Sequence, residues 1–417
     1  MSDISPTPPP KRHMILDSLR GFALLGICLA NFQEFSLYSF LPAGAAEAMP
    51  TAAADRAVKY LLYAFVDGKF YSIFSVLFGI GFSIILRNAA QKGADGTWLF
   101  YRRMAGLALI GFAHLMFVWS GDILLLYALV GMSLPFFANL SDRKILATAA
   151  VLIALPVGMD FLRETGGGKF DPALPAVRAQ EYFNSLYGIN GENFHTWLRD
   201  AESYSDVMKF LVQGAFVRIR EFIDGNRVFK VLGLFLTGFC IGRSGLYANL
   251  GENAPLLKKT AVLGFAAGIP LSLAYSFSAM GSKAWGITFH SALYAASVVP
   301  TALAYMAAIC LLYVRFGKNP VFRFFSHPGK IALTNYIGQS LFGMFIFYGI
   351  GLGLGADTGL AGAELAACGV FAAQAVFSLF WTKYFNFGPA EWIWRMFTYG
   401  KFLKIAKGAP AQSREKN

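Results

Sequence analysis

Runs of roughly 17 or more predominantly apolar residues recur along this 417-residue chain, and nothing else in it limits the possible folds so strongly. Coiled into a helix, each run is long enough to cross a hydrocarbon core of ~30 Å. Lipid offers no hydrogen-bond partners, so a crossing segment must satisfy its own backbone groups, which a helix does. Only 14% of residues are charged and 56% are hydrophobic, whereas a soluble chain carries roughly 25% charged residues. At ~150 residues per domain, length alone would suggest two or three globular domains. Hydropathy replaces that expectation with an all-α fold, a polytopic transmembrane helical bundle of about ten spans. The intervals predicted to cross are 19–36, 70–87, 104–120, 123–140, 145–162, 229–246, 260–279, 287–313, 331–354 and 365–382.

The formal net charge of +12 would raise nucleic acid as a partner in a soluble chain. Here the charges lie between the apolar runs, so they report orientation and no nucleic-acid partner is expected. With the intervals above, the side holding both termini carries 23 Lys/Arg and 7 Asp/Glu; the other side carries 13 and 17. Positive charge collects on the cytoplasmic side. The predicted location is therefore a bacterial cytoplasmic membrane with both ends inside. Lys11, Arg12 and His13 precede the first apolar run, and 43–54 contains small-residue sites of the kind cleaved after signal peptides. The reading adopted is a retained first span.

Around the spans, residues 1–13 read as a disordered, Pro-rich cytoplasmic N-terminus and 406–417 as a basic cytoplasmic tail. A single transmembrane domain is expected over 14–405. It would carry an outer loop at 164–208 and interfacial helices at 209–227 and 384–406, the second rich in Trp and Lys. Gly166-Gly167-Gly168 lacks the GK[ST] ending of a phosphate-binding loop. Cys28, Cys240, Cys310 and Cys368 each stand alone in an apolar run and read as small buried residues, neither disulfide-bonded nor ligands to a metal.

Five clusters carry polar chemistry. Asp17 and Arg20 share a helix face at the start of the first span; they read as a snorkelling pair or as an ion pair that aims Arg20 at an anion. Asn31 lies 14 residues later, about 21 Å up a helix, where an amide either bonds a neighbouring helix or serves a site. Lys69 precedes the stripe Ser75, Gly79, Ser83, whose four-residue spacing suits close helix packing, within the chain or across a homodimer. His114, followed by Asp122 in a short outer turn, is an intramembrane ionisable group and hence a functional candidate. Its alternative is a hydrogen-bonded structural histidine. His327, Lys330, Asn335, Tyr336 and Gln339 form the fourth cluster, and Glu391, Trp392, Trp394 and Arg395 the fifth, where an interfacial anchor is the simpler reading. Apart from Glu34 and Asp160, each near the end of its span, the predicted spans have no interior carboxylate, which disfavours a proton-coupled transporter.

Five motifs, in order, carry a resemblance: LDSLRGFALLGI at 16–27, GKFYSIFSVLFGIGFSIIL at 68–86, HLMFVWSGDILLLYAL at 114–129, GKIALTNYIGQS at 329–340 and GPAEWIWR at 388–395. Together they resemble the YeiB-like family, the bacterial domain of unknown function 418. That family is distantly similar to transmembrane acyltransferases such as heparan-α-glucosaminide N-acetyltransferase and the third acyltransferase family. The resemblance implies transfer of an acyl group from cytoplasmic acyl-CoA, as co-substrate, to an acceptor on the far side. Asp17, Arg20 and Gly21 match the start of the acyltransferase first span, and Asn31 its late asparagine. The position of their catalytic histidine is Pro42 here, and no histidine occurs between His13 and His114. Either His114 serves from another helix, or the chemistry has changed or been lost.

On the first reading, His114 oriented by Asp122 is the general base and Asn31 an oxyanion donor. Arg20, Lys69, Arg102, Arg103 and Lys330 would meet the donor phosphates, with Asp17 orienting Arg20 and Asn335, Tyr336, Gln339, Trp392 and Arg395 completing the binding set. No metal is called for. The partners would be membrane lipids and a small-molecule, lipid or glycan acceptor. On the second reading the same bundle is a transporter or a lipid- or metabolite-binding protein without catalysis.

Overall fold

A computed structural model describes residues 13–167 and 171–407, so the N-terminal segment 1–12, Gly168 of the triple glycine and the tail beyond 407 lie outside the described residues. The described residues form fifteen α-helices: α1 (Met14–Phe35), α2 (Ala52–Phe65), α3 (Lys69–Ala90), α4 (Gly96–Phe117), α5 (Leu124–Gly131), α6 (Asp142–Thr165), α7 (Leu174–Tyr187), α8 (Tyr204–Asp224), α9 (Arg227–Ser244), α10 (Ala254–Met280), α11 (Ile287–Phe316), α12 (Pro320–Lys330), α13 (Ala332–Phe347), α14 (Leu360–Tyr384) and α15 (Pro389–Tyr399).

Every predicted span falls on a helix, but they do not all become full-length apolar spans. Among the described residues, six stretches are long and apolar enough to cross a membrane: Met14–Phe35, Ala52–Ala90, Asp142–Thr165, Ala254–Met280, Ile287–Phe316 and Leu360–Tyr384. The clearest departure is 123–140. Its helix α5 has 8 residues and gives way to a 3-10 turn at Leu134–Phe137, because Pro135 has no N–H to continue the α ladder. Three helices were not foreseen: α2, α7 and α12, the last lying between the intervals 287–313 and 331–354. α2 lies in the linker after α1 and turns into α3 through Gly68 at φ +75°, a left-handed conformation that favours glycine. α7 lies within the predicted outer loop.

α1 is the axis of the assembly. It packs on α3, α12, α13 and α14, while α3 pairs with α9 and α10 with α11. Small residues set the closest of these contacts. A Cβ added to Gly21 would sit 1.8 Å from the Phe325 carbonyl oxygen, and one on Gly329 would sit 1.8 Å from that of Asp17. Glycines in the LDSLRG and GKI motifs thus let α1 and α12 touch backbone to backbone. Across α3 and α9, a Cβ added to Gly79 would sit 2.0 Å from the Phe235 carbonyl oxygen and one on Gly238 2.0 Å from that of Val76, while Ser83 packs at Gly242. The small-residue stripe is therefore an internal seam. Ser75 leaves it, taking the Tyr127 hydroxyl at 2.7 Å.

One end of the bundle gathers the start of α1, the end of α3, the start of α4, the α9–α10 turn, α12 and α15. There the His13 ring meets the Tyr247 ring at 5.0 Å, Arg87 donates to the Tyr247 hydroxyl, and Trp394 donates to the Arg103 carbonyl at 2.7 Å. The opposite end gathers the close of α1, α2, α8 and the loops at 198–201 and 348–356. Phe35 packs on Trp119 at 4.4 Å there, and Gly349 N–H donates to Leu198 O at 2.9 Å. Helix α8 is not laid on the lipid boundary alone, as 209–227 had suggested. Val207, Phe210, Leu211, Gly214 and Arg218 are buried, so α8 covers the end of the bundle as a lid.

Two further expectations change. Cys368 is exposed on α14, whereas Cys28, Cys240 and Cys310 are buried. α14 also begins at Leu360, earlier than predicted, so Glu364 falls within the helix and is buried. Neither of its carboxyl oxygens has a hydrogen-bond partner.

Candidate functional site

A cavity of about 670 Å³ opens at the end of the bundle that holds the start of α1. Its mouth is cationic. Arg20 of α1, Arg87 of α3, Lys92 of the following turn, Arg103 of α4, Lys330 of α12 and Arg395 of α15 all line it, against the carboxylates Asp17 and Glu391. Asp17 holds Arg20 at 2.8 Å, and the Arg103 guanidinium lies over the Trp394 ring at 3.6 Å. Glu391 caps α13 from α15. It accepts the Leu333 N–H at 2.7 Å, the Thr334 N–H at 3.2 Å and the Thr334 hydroxyl at 2.5 Å, satisfying donors that a helix start leaves open. Burial nevertheless pushes the Glu391 carboxyl above the ordinary carboxylate range.

Deeper in, the lining becomes apolar and aromatic: Ile27, Phe74, Phe78, Leu124, Tyr127 and Tyr336. Tyr127 is fixed by Ser75 and by the Tyr71 carbonyl at 2.9 Å. The cavity thus joins a basic head region to an apolar body, the polarity of an amphiphile with an anionic head. Its volume falls in the ~300–1,000 Å³ range of small-molecule sites.

Behind the Tyr336 ring stands His114, 5.3 Å away between centroids. It lies eleven positions after Arg103 on α4, about 16 Å further along the axis. His114 is 2% exposed. Its Nδ1 lies 2.9 Å from Asp122 Oδ2 and its Nε2 2.9 Å from Ser340 Oγ. Asp122 also accepts the Leu125 N–H at 2.8 Å in the first turn of α5, so the short turn after α4 serves both helix capping and histidine orientation. Beyond His114 the lid closes the bundle. Arg218 of α8 donates to the Ser120 carbonyl at 3.0 Å and to Glu221 at 2.6 Å, and lies 3.6 Å from Glu34 of α1.

Asn31 is half-buried one turn past Ile27 on α1 and hydrogen-bonds none of His114, Asp122 or Ser340. Asp17, Arg20, Arg103, Lys330, Tyr336 and Arg395 do meet in one cavity. Five other expected members do not. Lys69 sits at the opposite end of α3 from Arg87, fully buried, donating to the Tyr63 carbonyl at 2.7 Å with its ammonium over the Tyr275 ring. It lies where α3 begins, and Arg20 lies where α3 ends. Arg102 points away from the cavity and ties α15 through the Phe397 carbonyl at 2.9 Å, since it is one position, or 100° of helix turn, from Arg103. Trp392 donates to the Leu403 carbonyl at 2.7 Å as an anchor. Asn335 binds Ser378 at 2.8 Å and the Pro328 carbonyl, and Gln339 binds Gln374 at 3.3 Å, so these amides join α13 to α14. Arg87, Lys92 and Ser340 were missed, and Trp394, named in the fifth cluster, was left out of the binding set. Only Ser340 and Trp394 lay in quoted motifs, and no spacing rule links Ser340 to His114 across 226 residues.

Residues 241–401 match a family model described as "Protein of unknown function (DUF418)". Curated relatives align over almost the whole chain. The "Uncharacterized protein YxaH" of Bacillus subtilis (strain 168) is 29% identical, covering 98% of this chain and 99% of its own. The "Uncharacterized 39.9 kDa protein in amylase 3'region" of Bacillus acidopullulyticus is 28% identical over 94% of both. The "Uncharacterized protein YeiB" of Escherichia coli (strain K12) is 27% identical, covering 93% and 96%.

Proposed function

We propose that this YeiB-like protein of the DUF418 family is a membrane-embedded acyltransferase, taking an acyl group from cytoplasmic acyl-CoA and passing it to an acceptor at the lid end. The observation that carries this reading is the polarity of the cavity, basic at its mouth and apolar toward His114. Clustered guanidinium and ammonium groups raise the local concentration of an anionic ligand and suit phosphates. The acyl chain would lie along Ile27, Phe74 and Phe78, where apolar burial favours it.

At the inner limit of the cavity, His114 supplies the base that the family resemblance would otherwise place at Pro42. Asp122 fixes the ring, and Nε2 withdraws the proton of the attacking group. Asn31, on the Ile27 face of α1, would donate to the developing oxyanion. The inner-membrane location, the cytoplasmic termini and the single domain over 14–405 belong to this reading. The basic mouth then faces the cytoplasm.

Glu364 favours a second reading. A buried carboxyl without a hydrogen-bond partner suits a proton-coupled carrier built on the same bundle. Uptake by proteoliposomes separates the two.

Thermal unfolding of the detergent-purified protein with acetyl-CoA, longer acyl-CoA, free CoA and ATP tests the donor. Acyl-CoA should raise the midpoint well beyond ATP. Equal shifts, or none at millimolar acyl-CoA of any chain length, would remove acyl-CoA as donor. Transfer should vanish in His114→Ala at normal expression, and Asn31→Ala should lose roughly 10²–10³ in rate.

A further inference from the structure

The His114 imidazole is bonded on both sides, and its second partner is a hydroxyl. Serines within helices commonly bond the carbonyl four residues back. Ser72, Ser75 and Ser276 do so here, at 2.6, 2.9 and 2.8 Å. Ser340 instead points its oxygen at His114 Nε2, 2.9 Å away. An ionised Asp122 offers only acceptors, and its Oδ1 already takes the Leu125 N–H. With the imidazole proton on Nδ1, donated to Asp122 Oδ2, Nε2 accepts the Ser340 hydroxyl. Nucleophile, base and orienting carboxylate stand in a row at hydrogen-bond reach, the geometry by which activated serines are recognised.

We infer that Ser340, His114 and Asp122 form a nucleophilic triad in which Ser340 carries the acyl group between donor and acceptor. The inference rests on the acyltransfer reading for its donor, an acyl thioester. Ser340 Oγ attacks the thioester carbonyl while its proton passes to His114 Nε2. The carbon–sulfur bond then breaks, and the thiolate takes that proton and leaves as CoA thiol. The acceptor alcohol or amine next attacks the Ser340 ester, giving its proton to Nε2. The Ser340 oxygen is released and reprotonated by His114. No oxidant or metal is needed for the balance.

Tyr336 completes the arrangement. It precedes Ser340 by one turn of α13, lines the cavity and packs on the His114 ring. Its hydroxyl is buried without a hydrogen-bond partner, which makes it an available donor for the oxyanion. With Ser340 1% exposed, the Tyr336 ring is the wall between cavity and nucleophile, and its rotation admits the thioester. This explains why the motif that gives Lys330 to the mouth also brings Ser340 against the histidine.

The test is labelling of the intact, detergent-purified chain with an alkyl fluorophosphonate, followed by peptide mapping. A single adduct on Ser340 is expected, absent in Ser340→Ala and formed at least ~100-fold more slowly in His114→Ala. No adduct on Ser340, under conditions where a control serine hydrolase reacts fully, would overturn the triad; so would an unchanged rate in His114→Ala. Mapping of the unaltered chain needs no variant to fold. The probe also needs no acyl-CoA, so the two readings fail separately. Acyl transfer without an adduct removes the triad and keeps the transferase. An adduct without acyl-CoA turnover keeps the triad and removes the donor.

Discussion

Replacing Gly329 by alanine should pry α12 away from α1. The added Cβ would stand 1.8 Å from the Asp17 carbonyl oxygen and 2.8 Å from the Gly21 nitrogen. Both are backbone atoms of a buried helix, so no rotamer change relieves the clash, and α12 has to retreat by about 1 Å or more before ordinary contact near ~3.5 Å is approached. Retreat stretches the bond from the Ser18 hydroxyl to the Phe322 carbonyl, now 2.8 Å. Overpacking costs about 1–3 kcal/mol, and a weakened buried hydrogen bond about 1 kcal/mol. Against these, alanine is a better helix former than glycine by about 1 kcal/mol. The net expectation is a loss of about 1–3 kcal/mol. Gly158 on α6 and Gly369 on α14 are the controls, because a Cβ at either meets nothing within 4 Å; alanine there should be neutral or mildly stabilising. Thermal unfolding of the three variants in one detergent, followed by tryptophan fluorescence, measures the difference. A Gly329→Ala protein that unfolds at or above the temperature of the controls would refute the backbone-to-backbone seam. The same seam sets Asp17, Arg20 and Lys330 at the mouth, so the variant should also bind acyl-CoA less well.

Other perturbations separate geometry from charge. Asp122→Asn keeps an acceptor for the Leu125 N–H but turns an amide N–H₂ toward His114 Nδ1, forcing the wrong tautomer; acyl transfer should fall by up to ~10⁴ while the unfolding midpoint moves little. His327, on the interfacial helix α12, has its imidazole pushed down to about 4 by burial, with Lys330 and Arg323 adding repulsion. The folded state therefore binds fewer protons than the unfolded state between about pH 4 and 6.5, so stability should be lost as pH falls through that window. His327→Gln should flatten the fall in unfolding midpoint between pH 7 and pH 5, and an unaltered slope would contradict this. Single cysteines at Gln91 and Lys318, in a cysteine-free background, should react with an impermeant maleimide only from the cytoplasmic side, and one at Glu192 only from the other; the reverse pattern would invert the proposed orientation.

Several parts of the site were legible because they obey local rules. Asp17 and Arg20 are three apart, which on a helix means one face, and they do pair. His114 and Asp122 are close in sequence, with only a short turn between α4 and α5, so their bond needed no knowledge of the rest of the fold. Asn335 and Gln339 were placed correctly in the interior, where they bond α14 and do not line the cavity. Amides avoid lipid whether they bind a ligand or another helix, and hydropathy does not distinguish the two. Lys69 was misplaced for a different reason: it precedes 70–87 on the outer side of the span map, yet was grouped with cations of the inner side, and it stands a whole helix length from Arg87.

What the sequence by itself determined is the helical membrane class, the helix at each apolar interval and the family resemblance, since hydrophobic run length and short motifs are one-dimensional signals. Only the tertiary structure decided that α8 folds over as a lid, that Gly21 and Gly329 seat against opposing carbonyls, and that Ser340 meets His114 from 226 residues away. Those outcomes depend on which helix faces become neighbours. That choice is made by packing summed over the whole bundle, and no single segment encodes it.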